Sequence, residues 1–422
     1  MAIENDLLKR ITKIYLTSRD FNGTNIDNLQ EEFGLQRTEI MDNLISLIKS
    51  DKIVLNFGDK HINPFIKAFQ DDEISVQLEK LSQPQKNLIC AYPSKSYLKS
   101  IVNQSDYQDR PFTLKLALGE PQLSFDSFDL SILEFYRNDP RYYYRTDGIT
   151  GWISVKDHFY NSDQMPKSDK VILESFGFSY NESMTRAVAV FLIYLSRLSP
   201  QHQQIWNAKI LEGSYKLHPI YERECAGMDP EYISIFTAFT MELSIINQMS
   251  LKIWQKSLFR QDFSDEHPPA NFTFLTRPTL KEFCDFIHTL DKMLSDNIKK
   301  EFFKGKIQLD EEIPRKDGKI EIRQIGTIRL LEMWLIKFFR IPDRTPVIEM
   351  IKTLKKIREF RQRPAHALDD DRFDQKFFHR QRELIIEAYD AVRTIRLIFS
   401  NHPKAREIEI PEWIYLDKIV TY

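Results

Sequence analysis

The chain has little of what would make its function easy to read. Its three cysteines, Cys90, Cys225 and Cys284, are scattered, odd in number and show no C-x-x-C spacing. That argues against a disulfide framework and a cysteine zinc site, and fits a reducing compartment. Only 12 glycines occur in 422 residues, and no Walker loop, dinucleotide fingerprint or nucleophile elbow is found. Neither sign of charge dominates: 59 Lys and Arg against 61 Asp and Glu leave a formal net charge of -2. Any nucleic-acid contact must therefore come from a local patch. Long apolar runs are also missing. The longest, 187–195, is bounded by Arg186 and Arg197, far short of the ~20 residues a membrane helix needs, and reads as a buried core helix or strand. Glu4 and Asp6, with no apolar stretch beside them, do not make a signal peptide, so the expected location is the cytoplasm.

What is present describes a helix-rich α+β protein: 42% hydrophobic and 28% charged residues in a length that calls for two or three cores. The pattern divides into residues 1–72, 73–275 and 276–422. In the first stretch Leu7, Leu8, Ile11, Ile14 and Tyr15 form one helical stripe, Ile26, Leu29 and Phe33 a second, and Ile40, Met41, Leu44, Ile45 and Ile48 a third. Gly34 sits at the turn between the last two. Ile53–Phe57 then reads as a strand running into a Gly58-Asp59 hairpin turn. This order resembles a winged helix-turn-helix. Residues 1–50 hold six basic against eight acidic side chains, a balance that favours packing or protein contact over duplex reading.

The central stretch, 73–275, reads as an α+β domain of unknown role. Phe112, Leu114, Leu116 and Leu118 alternate as in a half-buried strand, and Leu123 and Phe125 resume the pattern after Gly119-Glu120-Pro121. Tyr142–Tyr144 and Trp152–Val155, separated by Thr146-Asp147-Gly148, read as a hairpin, while 184–198 and 232–254 read as helices. The tyrosines, flanked by Arg141 and Arg145, are of a kind that stacks on bases, although a tyrosine-rich strand is more often simply packed.

Four helices are expected in 276–422. Thr279 and Glu282 form a capping box ahead of Leu280, Phe283, Ile287, Leu290 and Leu294. A charged interruption from Gly305 to Gly326 reads as a protruding hairpin or loop, followed by a helix over 327–339. Thr345 as N-cap and Pro346 at the first helical position open a third helix with Met350, Ile351, Leu354 and Ile357 on one face. The fourth runs over 374–400. Such helices with short connections make a bundle.

The third helix leads into the most distinctive segment. Lys352, Lys355, Lys356, Arg358, Arg361 and Arg363 lie within 351–366 with Glu359 as the only acid. Like charges at helical neighbours repel unless they are solvated or meet phosphate. Arg361 precedes His366 by five positions, about 140° around a straight helix apart. Pro364 disfavours helix at Arg363, and a restarted turn there can bring the two together. This arginine–histidine spacing, set in four helices, resembles the R-x4-6-H signature of the HEPN superfamily.

The resemblance implies a metal-independent endoribonuclease without cofactor, which uses Arg361 and His366 and leaves 2′,3′-cyclic phosphate ends. Histidine titrates where proton transfer to or from a ribose 2′-hydroxyl needs it, and arginine is a fixed cation for charge on the phosphate. Gln362 stands where the family more often has Asn, Asp or His, and is read as a supporting residue. Lys355, Lys356, Arg358 and Arg363 are the expected RNA-binding side chains. The family also implies an antiphage or toxin role and a site shared between two chains. Because two facing basic segments repel, apolar surface must hold the pair, and a C2 homodimer is expected through the C-terminal domain, with the third helix as its seam and Phe360, Phe373 and Phe378 around the basic segment. The alternative is a non-catalytic nucleic-acid- or protein-binding regulator. A metal at Asp369-Asp370-Asp371 is weaker than their reading as helix-capping acids.

Overall fold

The computed structural model describes residues 2–83, 87–225, 227, 232–261, 263, 269, 272–315, 317, 319–339, 342–362, 371–415 and 418–422. The chain is mixed α+β and separates into two compact units, Met1–Asp229 and Pro230–Tyr422, where the sequence pattern pointed to three domains. No helix among the described residues is long and apolar enough to cross a membrane.

The first unit begins with α1 (Ala2–Thr17), β1 (Thr24–Asn25), α2 (Ile26–Phe33), α3 (Arg37–Lys49) and β2 (Ile53–Phe57). The three helical stripes form as expected, because Leu7, Ile11, Ile26, Leu29, Ile40, Leu44 and Ile48 share one buried cluster. Gly34 ends α2 in the left-handed region at φ 64, a conformation that costs glycine no Cβ clash. The Gly58-Asp59 hairpin does not form. The partner of β2 is β3 (Ile89–Pro93), thirty residues on, and the three strands pair antiparallel in the order β1-β3-β2.

The rest of this unit is built on a six-stranded antiparallel sheet. Its order is β4 (Phe125–Phe128), β8 (Arg186–Phe191), β7 (Ile172–Tyr180), β6 (Thr150–Val155) and β5 (Tyr142–Thr146), with β9 (Lys216–Leu217) also on β7. The expected Tyr142/Trp152 hairpin is β5–β6. Two other expectations fail. Residues 111–117 are a helix, not a strand: Pro111 occupies its first turn, Phe112 and Leu116 are buried four apart, and Gln203 Oε1 accepts from the Phe112 and Thr113 N–H groups. Of the stretch 184–198 only Leu192–Ser196 is helical, and residues 186–191 take the strand alternative. Every residue of β8 is buried, and a strand covered on both faces loses the alternation that would identify it.

The second unit is helical. α4 (Ile235–Trp254), α5 (Leu280–Met293), α6 (Thr327–Phe338), α7 (Thr345–Gln362) and α8 (Lys376–Ser400) are its long helices among the described residues. α8 packs against α4, α5 and α7, and α6 against α7. α4, assigned from sequence to the central domain, is thus a bundle member: its mean hydropathy is high and thirteen of its residues are buried. Thr279 caps α5 through the Glu282 N–H. The cap of α7 includes the Asp343 carboxylate, which accepts from Thr345 N–H at 2.9 Å, so Thr345 lies inside the helix. The interruption before α6 is a hairpin of β11 (Asp310–Pro314) and β12 (Ile320–Gln324), strand β10 (Ile233–Ser234) having paired in parallel with β13 (Ile419–Val420).

Candidate functional site

Arg361 sits in the last turn of α7 with its side chain 27% exposed. Its Nη1 donates to Asp291 Oδ2 and to Asp296 Oδ2, both at 2.5 Å. Arg358, one turn earlier, donates from Nη1 to the same two carboxylates, at 3.2 Å to Asp291 Oδ2 and 2.7 Å to Asp296 Oδ1. Two guanidinium and two carboxylate groups thus form one closed, neutral cluster. Asp291 is fully buried on α5 and also accepts from the Ser295 hydroxyl. Charge-assisted bonds of this kind are the strong ones.

The electrostatics follow the geometry. Bonds to Asp291 and then to Asp296 raise the Arg361 pKa above the usual arginine value. Burial alone would push Asp296 up, but hydrogen bonds from Arg358 and Arg361 outweigh it and hold the carboxyl below its ordinary range. Among the described residues every hydrogen bond that Arg361 donates leaves from Nη1. Nε and Nη2 of this fixed cation are the atoms through which it could meet a phosphate.

The remaining basic side chains of α7 are paired as well. Lys352 meets Glu349 at 3.4 Å, Lys355 meets Glu332 at 3.3 Å, and Lys356 meets Glu387 at 2.8 Å. The five positive charges of 352–361 therefore face five carboxylates, two of them shared, and the repulsion read from sequence is relieved within the protein. A groove of about 430 Å³ between α7 and α8 is lined by Lys352 and Lys356 but also by Glu349, Glu387 and Asp390. Burial raises the Asp390 pKa.

His366 and Arg363 lie outside the described residues, as do Asp369 and Asp370. Gln362 is the exposed last residue of α7. Asp371 accepts from the Lys281 N–H at 3.2 Å, so the acid expected to cap a helix caps α5. Phe378 is fully buried, 5.8 Å from the Phe274 ring, and cannot face a symmetry mate; α8 turns it inward. Phe373 is 41% exposed and Phe360 partly so. Sequence reasoning missed Asp291 and Asp296. The signal was available for Asp291: it stands four residues after Ile287 on the apolar stripe of α5, a core position where a carboxylate needs a cationic partner.

The chain matches no protein-family model, and no curated protein or solved structure is significantly similar to it.

Proposed function

We propose that the second unit is a metal-independent endoribonuclease of HEPN type, cleaving RNA to 2′,3′-cyclic phosphate ends. The observation that supports it best is Arg361: a partly exposed cation at the end of a long packed helix, aimed by two carboxylates, five residues ahead of His366. Aspartates that hold one guanidinium nitrogen fix the other two in place before substrate arrives, and preorganised charge costs no rearrangement at the transition state. His366 transfers the proton, and Arg361 steadies charge on the phosphate oxygens. Two copies of the chain, paired through this unit, would bring both Arg–His pairs to one groove. A role in toxicity or phage defence rests on the family resemblance alone. The first 93 residues, with the strand order β1-β3-β2, follow the order of a winged helix apart from a helix, Ile74–Ser82, between β2 and β3, and the acid excess of residues 1–50 fits a protein partner.

The test is cleavage of RNA by the purified chain in excess EDTA. Cyclic phosphate ends, lost in both Arg361→Ala and His366→Ala, are the expected result; dependence on a divalent metal sinks this mechanism. A second reading has its own observation. Because the basic side chains of α7 are neutralised by acids of neighbouring helices, the unit could be a non-catalytic binding module. In that case RNA stays intact, and His366→Ala changes neither RNA integrity nor cell growth.

A further inference from the structure

One surface of the first unit carries cations that have no acid partner among the described residues. β5 and β6 pair with Tyr143 opposite Ser154 and Arg145 opposite Trp152. Side chains alternate across a sheet, so Tyr143, Arg145 and Trp152 point to one face while Tyr142, Ile153 and Val155 are buried on the other. Tyr143 is 44% and Trp152 37% exposed, their ring centroids 6.4 Å apart. The Arg145 guanidinium lies 5.9 Å from the Trp152 ring, and the Lys156 ammonium 5.5 Å from the Tyr143 ring.

Those ring contacts are the interactions the described residues offer these two cations; neither has an ion pair. Glu174, which the ladder brings near Trp152, is taken by Arg197 at 2.6 Å. The backbone is adapted to this arrangement. The β6–β7 register slips between Gly151 and Ile153, and bulges of this type re-aim a side chain. Gly151 admits no Cβ: one would lie 2.3 Å from the Phe176 ring and 2.6 Å from the Arg145 carbonyl.

We infer that this face is a stacking platform for single-stranded RNA, with bases on Trp152 and Tyr143 and backbone phosphates on Arg145 and Lys156. Exposed aromatic rings interleaved with unpaired cations suit a strand whose bases are unstacked and whose backbone is anionic; a duplex would hide its base faces. That the strand is RNA rather than DNA rests on the cleavage reading above, whereas the stacking does not.

The experiment measures binding of the full chain to a fluorescent 2′-O-methyl RNA 12-mer in EDTA, a probe that cannot be cleaved through its 2′-oxygen. Trp152→Ala should weaken binding by about tenfold, with Trp152→Phe close to the parent. Arg145→Ala with Lys156→Ala should lower the slope of log affinity against log salt by about 1.4, the loss of two phosphate contacts on a single strand. The probe carries no reactive 2′-hydroxyl, so its binding is read whether or not the chain cleaves RNA, and a failed nuclease reading leaves this result standing. Trp152→Ala and the double variant binding like the parent, equal affinity for duplex RNA, or a preference for DNA of the same sequence each overturn the proposal. Thermal melts of each variant separate lost binding from lost folding, and the salt slope of the Arg145→Ala, Lys156→Ala double variant still decides the matter should Trp152→Ala fail to fold.

Discussion

Two sets of cations in this chain meet opposite fates. On α7 every described basic side chain between 352 and 361 has a carboxylate partner; on the β5–β6 face Arg145 and Lys156 rest on aromatic rings instead. Counting charges along the sequence ranks the first as the stronger anion site. Pairing reverses that order, because an ion pair already formed must be broken or bypassed before phosphate gains its charge. The lesson is that a cluster of positive residues reports on binding only after its partners are known.

The largest effect that would sharpen this contrast lies in the core of the second unit. Arg396 and Glu242 are both buried and bonded at 2.6 Å. Arg396→Met should cost about 3–5 kcal/mol, since it strands a buried carboxylate, while Glu242→Met added to it should restore much of the loss. Urea denaturation reads both, and an Arg396→Met chain as stable as the parent would break the argument that pairing is what these charges are for. Next comes Asp291→Ala, which removes the buried acceptor of both Arg358 and Arg361; a loss of about 2 kcal/mol is expected, with Asp296→Ala, at the exposed end of the same cluster, costing less.

An unpaired buried group should instead show itself through pH. His61 is buried against the Phe69 ring, its Nδ1 without a hydrogen-bond partner among the described residues. Burial, then the nearby Lys60 charge, lowers its pKa to about 4. A histidine held neutral in the fold but free to protonate once unfolded contributes stability that is present above about pH 6.5 and lost as pH falls toward 4. Melting temperatures across that window should decline more steeply for the parent than for His61→Phe; parallel curves would contradict the assignment. Smallest of all, Lys352→Ala and Lys355→Ala remove exposed pairs and should each change stability by under about 0.5 kcal/mol. If either shifts RNA affinity as much as Lys156→Ala does, the ranking of the two surfaces is wrong.

Local grammar carried much of the fold from sequence. Thr279, Gly34, Pro346 and the stripes of α1 to α3 are legible because a cap or an apolar face is decided within a few residues. Where the signal is not local, reading failed. Phe112 and Leu116 satisfy a period of two and a period of four alike, and only Gln203, far along the chain, shows why the helix wins. The buried strand 186–191 offers no polar face to count. At the candidate site the arginine was legible but its circumstances were not: Asp291 lies 70 residues before Arg361, and no property of the basic segment reveals that Asp291 on α5 and Asp296 just beyond it close around the guanidinium. The Trp152 platform was half legible, since tyrosines between arginines were noted, whereas their exposure depends on which face the sheet buries.

The β11–β12 hairpin carries a consequence on the time axis. Among the described residues its strands pair only with each other, and every residue of β12 is exposed, Ile320 and Ile322 by 64% and 71%. A lone two-stranded ribbon is marginal in water, so it opens without waiting for the helices around α8. Its amide hydrogens should exchange with solvent orders of magnitude sooner than those of α4, which are freed only when the unit as a whole unfolds. With Arg315, Lys319 and Arg323 along it, trypsin at low dose should cut here first, leaving two fragments that stay together under native conditions and part only in denaturant.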